Sequence, residues 1–332
     1  MLGCYMDIDI VVLWVDGDDE KWLKEKQKYS PSINEDNRDR RYRSLDIFEY
    51  WFRGIEKYAP WVRKIHLVTE GHLPPWLNTS HPKLHIVRHS DFIPEKYLPT
   101  FSSHPIELNI HRIKDLSECF IYFNDDMFVI NHVTLNDFFI NLEPRDYALF
   151  SPITPSTNWY HILVNNIIAL NRNFNFASTV KSHRSKWFSL RYGKLLLWNL
   201  LLTRRSGFSL LRNGHLSIPF KKSTFLEVWD KEFNLLDQTC SNKFRNISDV
   251  SIWLMRYWRI AKGEFYPSKE IAGKYLNITN KNQIPEISHA ITSKLKVLCL
   301  NDNISEDDYV VVENTLKKLL SNKFPLKSQF EL

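Results

Sequence analysis

Short β-branched runs alternate along the chain with longer segments in which apolar residues recur every three or four positions. The first run, Ile8-Asp9-Ile10-Val11-Val12-Leu13-Trp14, ends in Val15-Asp16-Gly17-Asp18-Asp19, which predicts a buried strand followed by an acidic loop. Residues 20–29 have a charged helical pattern, and 30–42 form a polar loop of the kind that covers sites. Over 44–58, Leu45, Phe48, Trp51, Phe52 and Ile55 predict an amphipathic helix that stops before Pro60. Strands are predicted at 64–69, 84–88 and 119–123, with a helix over 106–116 between the last two. The last strand runs directly into Asn124-Asp125-Asp126. Strands alternating with helices predict an α/β, Rossmann-like sheet over residues 1–150.

Beyond residue 151 the texture is more helical: a Pro/Ser/Thr loop precedes helical patterns at 160–171, 224–237, 248–260 and 305–322. We expect this part, 151–332, to complete one catalytic unit with the first. Residues 191–212 combine Leu and Trp with five basic residues and no acid. They read either as a buried helix with a basic rim or as a helix lying on an anionic membrane surface, and 180–215 is then a membrane-proximal insertion.

Composition narrows the field. At 332 residues, with 43% hydrophobic and 25% charged positions, the chain builds a large core, which excludes disorder and disulfide mini-scaffolds. It holds only 9 glycines, and GxGxxG, GxxxxGK[ST] and GxSxG are all absent. Any phosphate must therefore be held without glycine loops. The net charge of +6 suits acidic small molecules or an anionic surface and does not call for nucleic acid. Cys4, Cys119, Cys240 and Cys299 are far apart and read as reduced thiols of a cytoplasmic protein. No apolar run approaches the ~20 residues of a membrane span, and the N-terminus has no signal-peptide pattern.

Three constellations carry candidate chemistry. Asn124-Asp125-Asp126, at the end of a very apolar strand, offers two carboxylates and a neutral oxygen to a hard cation such as Mg²⁺ or Mn²⁺, although hairpin turns use the same residues. Asp16 and Asp18 lie at another strand end, where a type I turn has the same composition; parallel strands would bring both clusters to one edge. In FSSHPIELNIHRI, a helix starting near Ser103 would place Glu107 and His111 on one face, with Ser103 a turn above and Arg112 beside. Helix capping uses the same pattern. His215, Arg245 and Asp249 lie far along the chain, and no local pattern marks them.

Taken together, four ordered blocks resemble the Stealth proteins, a family that includes bacterial capsular polysaccharide phosphotransferases and the lysosomal-enzyme GlcNAc-1-phosphotransferase. The blocks are DIDIVVLWVDGDDEKW; the stretch from Arg41 through LSECFIYFNDDMFV; HLSIPFKKSTF with FRNISDVS; and CLNDNISEDDY with FPLKSQFEL. The resemblance implies a GT-A-like fold and transfer of a hexose or N-acetylhexosamine 1-phosphate from a UDP-sugar such as UDP-GlcNAc to a saccharide hydroxyl. UMP would be released and a phosphodiester formed, as in capsular or exopolysaccharide synthesis at the inner face of the plasma membrane. It assigns Glu107, His111, Asp125, His215 and Arg245 to catalysis. Trp14, Asp16, Asp18, Arg43, Ser103, Arg112 and Asp249 fall to substrate binding, and Asn124, Asp125 and Asp126 to the metal. Arg112 and Arg245 would hold the diphosphate, and His215, His111 or Glu107 would take the acceptor proton. The chain departs from the family at His72, where Gln is common, and at Ser102, where Asn is common. A metal-dependent glycosyltransferase releasing UDP shares these residue patterns.

Overall fold

A computed structural model of the chain describes residues 7–29, 45–152, 160–202 and 206–332. Strands β1 (Ile8–Leu13), β2 (Ile65–Thr69), β3 (Leu84–Arg88) and β4 (Cys119–Asn124) pair in parallel. The chain continues through β5 (Met127–Val129), β6 (Phe139–Ile140), β7 (Glu143–Asp146), β8 (Ile218–Lys221), β9 (Tyr266–Pro267), β10 (Gly273–Ile278) and β11 (Val297–Asp302). Among the described residues the main sheet has the order β3-β2-β1-β4-β8 with β8 antiparallel, and two three-stranded sheets are ordered β10-β11-β5 and β6-β7-β9. This is the mixed α/β sheet flanked by helices that the pattern predicts. Strands from beyond residue 150 complete all three sheets, so the pairing crosses the expected boundary.

The helices of the first half are α1 (Glu20–Tyr29), α2 (Phe48–Tyr58), α3 (His89–Phe92) and α4 (Ser103–Asn109). The second half adds α5 (Tyr160–Asn173), α6 (Phe176–Ser182), α7 (Arg184–Trp187), α8 (Leu196–Leu202), α9 (Lys222–Lys231), α10 (Phe233–Ser241), α11 (Trp253–Lys262), α12 (Ile284–Thr292) and α13 (Glu306–Lys323). Three boundaries differ from the sequence pattern, each for a polar reason. Helix α4 starts at Ser103 because the Ser102 side chain accepts from the His104 N–H, and it gives way after Asn109 to a 3-10 turn through Arg112. The helical run predicted at 224–237 breaks at Glu232, whose carboxylate accepts from Arg172 at 2.7 Å. Helix α11 starts only at Trp253, because Asp249 folds the preceding residues into a loop.

Alternate residues of the central strands enter two cores. Ile8, Ile10, Val12, Ile121 and Phe123 face α2, α12 and α13, whereas Val11, Phe120 and Tyr122 face α4, α5 and α9–α11. Asp9 shares the second face and is fully buried. Burial alone would raise its carboxyl, but His66, Arg63 and the Ser117 N–H overcome that and hold it at about 2. The C-terminal tail closes the first core: Phe330 lies 5.2 Å from Phe52, and Glu331 accepts twice from Arg53, at 2.8 and 2.6 Å.

Asp146, at the end of β7, is buried with two guanidinium groups of α11. It accepts from Arg256 at 2.6 Å and from Arg259. Asp146→Ala would leave both cations unpaired in the core, and we expect a loss of about 3–5 kcal/mol, read as a lowered urea midpoint with an unchanged slope.

Candidate active site

The β1–β4 pairing is in register, with Leu13 opposite Asn124, so the loops carrying Asp16 and Asp125 leave the sheet side by side at its C-terminal edge. Strand β8 runs the other way, with Ile218 opposite Tyr122. His215, three residues before Ile218, therefore reaches the same edge from a distant part of the chain.

The Asn124-Asp125-Asp126 turn does not close a hairpin. After it, β5 leaves the main sheet and pairs with β11, placing Met127 opposite Cys299. The two carboxylates sit where the chain crosses between sheets. Asp126 Oδ2 accepts from Cys299 Sγ at 3.3 Å, while its Oδ1 is buried without a hydrogen-bond partner. Desolvation raises Asp126, with the nearby His215 opposing the shift, and desolvation together with the Asp126 charge pushes Asp125 to about 7. Among the described residues neither of these adjacent carboxylates is paired with a Lys or Arg, and one Asp126 oxygen is unsatisfied. They fit a hard divalent cation of the kind that takes one or two carboxylates and fills its other positions with phosphate oxygens and water.

His215 packs edge-on against Tyr275, at 4.8 Å, and adopts φ +52°, a left-handed conformation unusual outside glycine. Beside it, Glu270 packs against Gly214, where a Cβ would displace its carboxylate, and Glu270 Oε1 accepts from Tyr147 at 2.9 Å.

Helix α4 supplies the other wall. Arg245 Nη2 donates to Ser103 Oγ at 3.3 Å, joining two segments 142 residues apart. Below them, Asp249 is fully buried and accepts from His104 (3.0 Å), Asn242 (2.8 Å) and the Asn246 N–H (2.9 Å). One turn on, Glu107 lies 3.1 Å from the Tyr122 hydroxyl, which is also 2.6 Å from Asn124 Oδ1. A small aromatic cluster of Trp22, Phe101 and Phe244, with Val15 packed against it, ties the Asp16 loop, the α4 entry and the Arg245 loop together.

On the Asp16 side, His72 Nε2 accepts from the Asp16 N–H at 2.9 Å, and Asp16 Oδ1 accepts from the Asp18 N–H at 3.0 Å. Burial lowers the His72 pKa, which keeps that nitrogen available as an acceptor. Trp14 packs edge-to-face with His72 and parallel to Phe48, and its indole N–H has no partner.

Comparison with known proteins decides the family. The "Stealth protein CR1, conserved region 1" matches residues 6–33, CR2 residues 41–145 and CR4 residues 290–332. The capsular polysaccharide phosphotransferase WcwK of Streptococcus pneumoniae is 43% identical over 98% of this chain and 99% of its own. The chain belongs to the Stealth family of phosphotransferases. The exopolysaccharide phosphotransferase cps2G of Lactiplantibacillus plantarum is 40% identical, over 98% of this chain and 96% of its own. The receptor polysaccharide phosphotransferase WefC of Streptococcus gordonii is 37% identical, covering 98% of this chain and 99% of its own. Among solved structures, the galactosyltransferase LgtC in complex with donor and acceptor sugar analogues covers 97% of this chain and 98% of its own. Its 8% identity and TM-score of 0.37 are too slight to bear on function.

Of the residues that the Stealth resemblance nominates, the structure gathers Asp16, Asp18, Asn124, Asp125, Asp126 and His215 at one sheet edge, with the Ser103–Arg245 pair on the α4 wall. Others fall elsewhere. His111 does not share a face with Glu107, because α4 ends between them; it is buried 5.9 Å from Phe225, and desolvation with Arg112 and Lys222 nearby drives its pKa to about 3. Such an imidazole is a poor proton acceptor at neutral pH. Arg112 lies beyond the end of α4, bonded to Asn109 and stacked on Trp229 at 5.1 Å, whereas Arg245 is at the helix start. Seven helical residues rising ~1.5 Å each, plus the 3-10 turn, separate them, so they do not clamp one diphosphate. Asn124 Oδ1 accepts from Tyr122, and the Asp249 carboxylate is occupied by His104, Asn242 and the Asn246 N–H. Arg43 lies outside the described residues. Among the described residues no group of three His, Cys, Asp or Glu side chains forms a complete metal cage.

Tyr122, Cys299, Tyr275 and His104 escaped sequence reasoning, since each touches the site only through a neighbouring element. The two departures from the Stealth pattern have supporting roles: His72 offers the Asp16 loop an acceptor that a Gln carbonyl could replace, and Ser102 caps α4 as Asn would.

Two tests follow from this geometry. A carboxyl whose folded pKa is raised to about 7 contributes full stability at low pH and loses it as pH rises through that value. Without divalent cations, Asp125→Asn should therefore be more stable than the parent at pH 8, by about 1–3 kcal/mol, the gain fading below roughly pH 4 in calorimetric scans. At His72, the Ala variant should lose about tenfold in kcat/KM while Gln stays within about threefold, measured as transfer rate against donor concentration.

Proposed function

We propose that the enzyme transfers a sugar 1-phosphate from a UDP-sugar to a hydroxyl of a saccharide acceptor, releasing UMP, during synthesis of a capsular or other surface polysaccharide. The observation that carries this reading is the meeting, at one edge of the sheet, of a desolvated carboxylate pair and a His held close to it by an antiparallel strand. Whole-length identity to proteins named as polysaccharide phosphotransferases supports the substrate class. We take the enzyme to act in the cytoplasm, where nucleotide sugars are available.

In this reading the acceptor oxygen attacks the phosphorus attached to the sugar, and the bond from that phosphorus to the bridging oxygen breaks, so UMP leaves. The anomeric C–O bond stays intact and keeps its configuration. Rate acceleration in such a step comes chiefly from positioning and from positive charge facing the phosphoryl oxygens. Arg245, held on Ser103 and aimed by the Asp249 loop, is the guanidinium available for those oxygens on the α4 wall. A Mg²⁺ or Mn²⁺ ion held by Asp125 and Asp126 would neutralise the diphosphate. His215 is the proton acceptor we assign: it is half-buried at the edge beside Asp126, whereas Glu107 is buried against Tyr122 and His111 lies among aromatic rings. The paired acidic loops take the place of a glycine-rich phosphate loop.

Incubation with a panel of UDP-sugars and an oligosaccharide primer should yield UMP and a product heavier by a sugar phosphate. Asp125→Ala and His215→Ala should each lower the rate by at least about a hundredfold while circular dichroism stays unchanged. Release of UDP with a glycosidic product would identify a glycosyltransferase instead, and full activity in EDTA would remove the cation.

A further inference from the structure

Acidic side chains stop at Asp146 and resume at Glu227: the 80 residues between them contain 11 Lys and Arg and no Asp or Glu, although the whole chain carries 38 acids against 44 bases. On this segment stand the 3-10 stretch Leu190–Leu195 and α8. An ordinary surface helix turns its apolar side chains inward; here buried polar groups hold the stretch and most of its large apolar side chains face out. Asn199 is fully buried; it donates to the carbonyls of Ala148 and Trp187 at 2.6 and 2.7 Å and accepts from the Phe150 N–H at 2.9 Å. Tyr192 is buried too, its hydroxyl donating to the Lys186 carbonyl at 2.6 Å. Leu190, Leu197, Trp198, Leu200 and Leu201 point outward, exposed by 87, 61, 43, 54 and 69%, while Leu195 and Leu196 pack against Tyr147, Leu149 and Tyr192. The sequence left open a buried helix with a basic rim; the structure instead leaves most of its leucines and Trp198 facing out.

We infer that residues 190–201 form a docking face for an anionic lipid bilayer. Large apolar side chains fixed outward by a buried polar anchor mark a contact surface. Lys181, Arg184, Arg191 and Lys194 are exposed on the same acid-free segment. A second copy of the chain would bring one basic face against another. A soluble polyanion would satisfy the cations but leave the leucines in water. A bilayer with acidic headgroups accepts both, leucine and tryptophan at the acyl boundary and basic groups among the phosphates. The attachment is peripheral, since among the described residues no helix is long and apolar enough to cross a membrane. Its position is consequential: the Ser151 N–H donates to the Leu210 carbonyl and the Arg212 N–H to the Leu149 carbonyl, and three residues beyond Arg212 the chain reaches His215. The docking face and the His215 loop are thus carried by one pair of segments.

The test uses the full chain and flotation with vesicles of phosphatidylcholine alone or mixed with phosphatidylglycerol. We expect binding to the acidic vesicles to be at least tenfold tighter than to the neutral ones and to weaken with salt. Leu197→Glu combined with Leu201→Glu should lower it by at least tenfold, and Lys194→Glu about fivefold. Transfer to a soluble acceptor should persist in both variants. Brominated lipid should quench a component of the fluorescence that Trp198→Phe removes, a reading that stands even if the double Glu variant misfolds. Unchanged vesicle binding by the double variant, equal binding to neutral vesicles, or no Trp198 component in the quenching would overturn the inference. So would a dimer in sedimentation equilibrium that the double variant dissociates, since the face would then belong to a second copy.

Discussion

The parallel, in-register pairing of β1 with β4 is the constraint on which the rest of the site depends. With Leu13 opposite Asn124, two acidic loops more than 100 residues apart in sequence emerge as neighbours. A slip of one residue would turn Ile121 and Phe123 out of their core and Phe120 and Tyr122 out of the other. The register is therefore set by burial on both faces of the sheet, and the site inherits its geometry from that packing. Asp9, at the opposite end of β1, shows how strictly the strand is held: its buried charge is compensated on every side by Arg63, His66 and Ser117.

The acidic turn is treated in the opposite way. Where Asp9 has partners, Asp126 has an oxygen with none, and Asp125 has a raised pKa and a like charge as its neighbour. Local destabilisation of this kind is common where a protein awaits a charged ligand. It persists because the surroundings are over-determined: β5 is locked to β11, β8 is paired with β4 beside the His215 loop, and the α4 wall is fastened by the Asp249 network. The scarcity of glycine is consistent with this design, in which side chains carried on rigid elements face the edge.

The second half of the chain contributes more than a helical cover. Its strand β8 brings His215 to the edge, its 242–249 loop brings Arg245 to Ser103, and its acid-free segment concentrates basic residues that the overall balance of +6 conceals. Net charge averages over the surface, whereas an approaching surface responds to the local face.

Much of this was legible in sequence. The central strands, α1, α2 and α13 follow from periodicity, because burial imposes a period of two on strands and 3.6 on helices regardless of what lies across the core. The acidic loops could be placed at strand ends, and parallel strands required them to share an edge. What sequence could not supply depends on contacts between distant segments. A helix predicted over 106–116 ended at Asn109, where a 3-10 turn overrides the apolar pattern, and His111 and Arg112 left the Glu107 face with it. Asp249 looks no different in sequence from Asp125, yet one is saturated by its own loop and the other is desolvated beside a second carboxyl. Local periodicity thus determined which segments became strands and helices, since that depends on near neighbours and burial. The tertiary structure alone decided which polar residues met, because a side chain's role is set by the groups that desolvate it and bond to it, and those come from elsewhere in the chain.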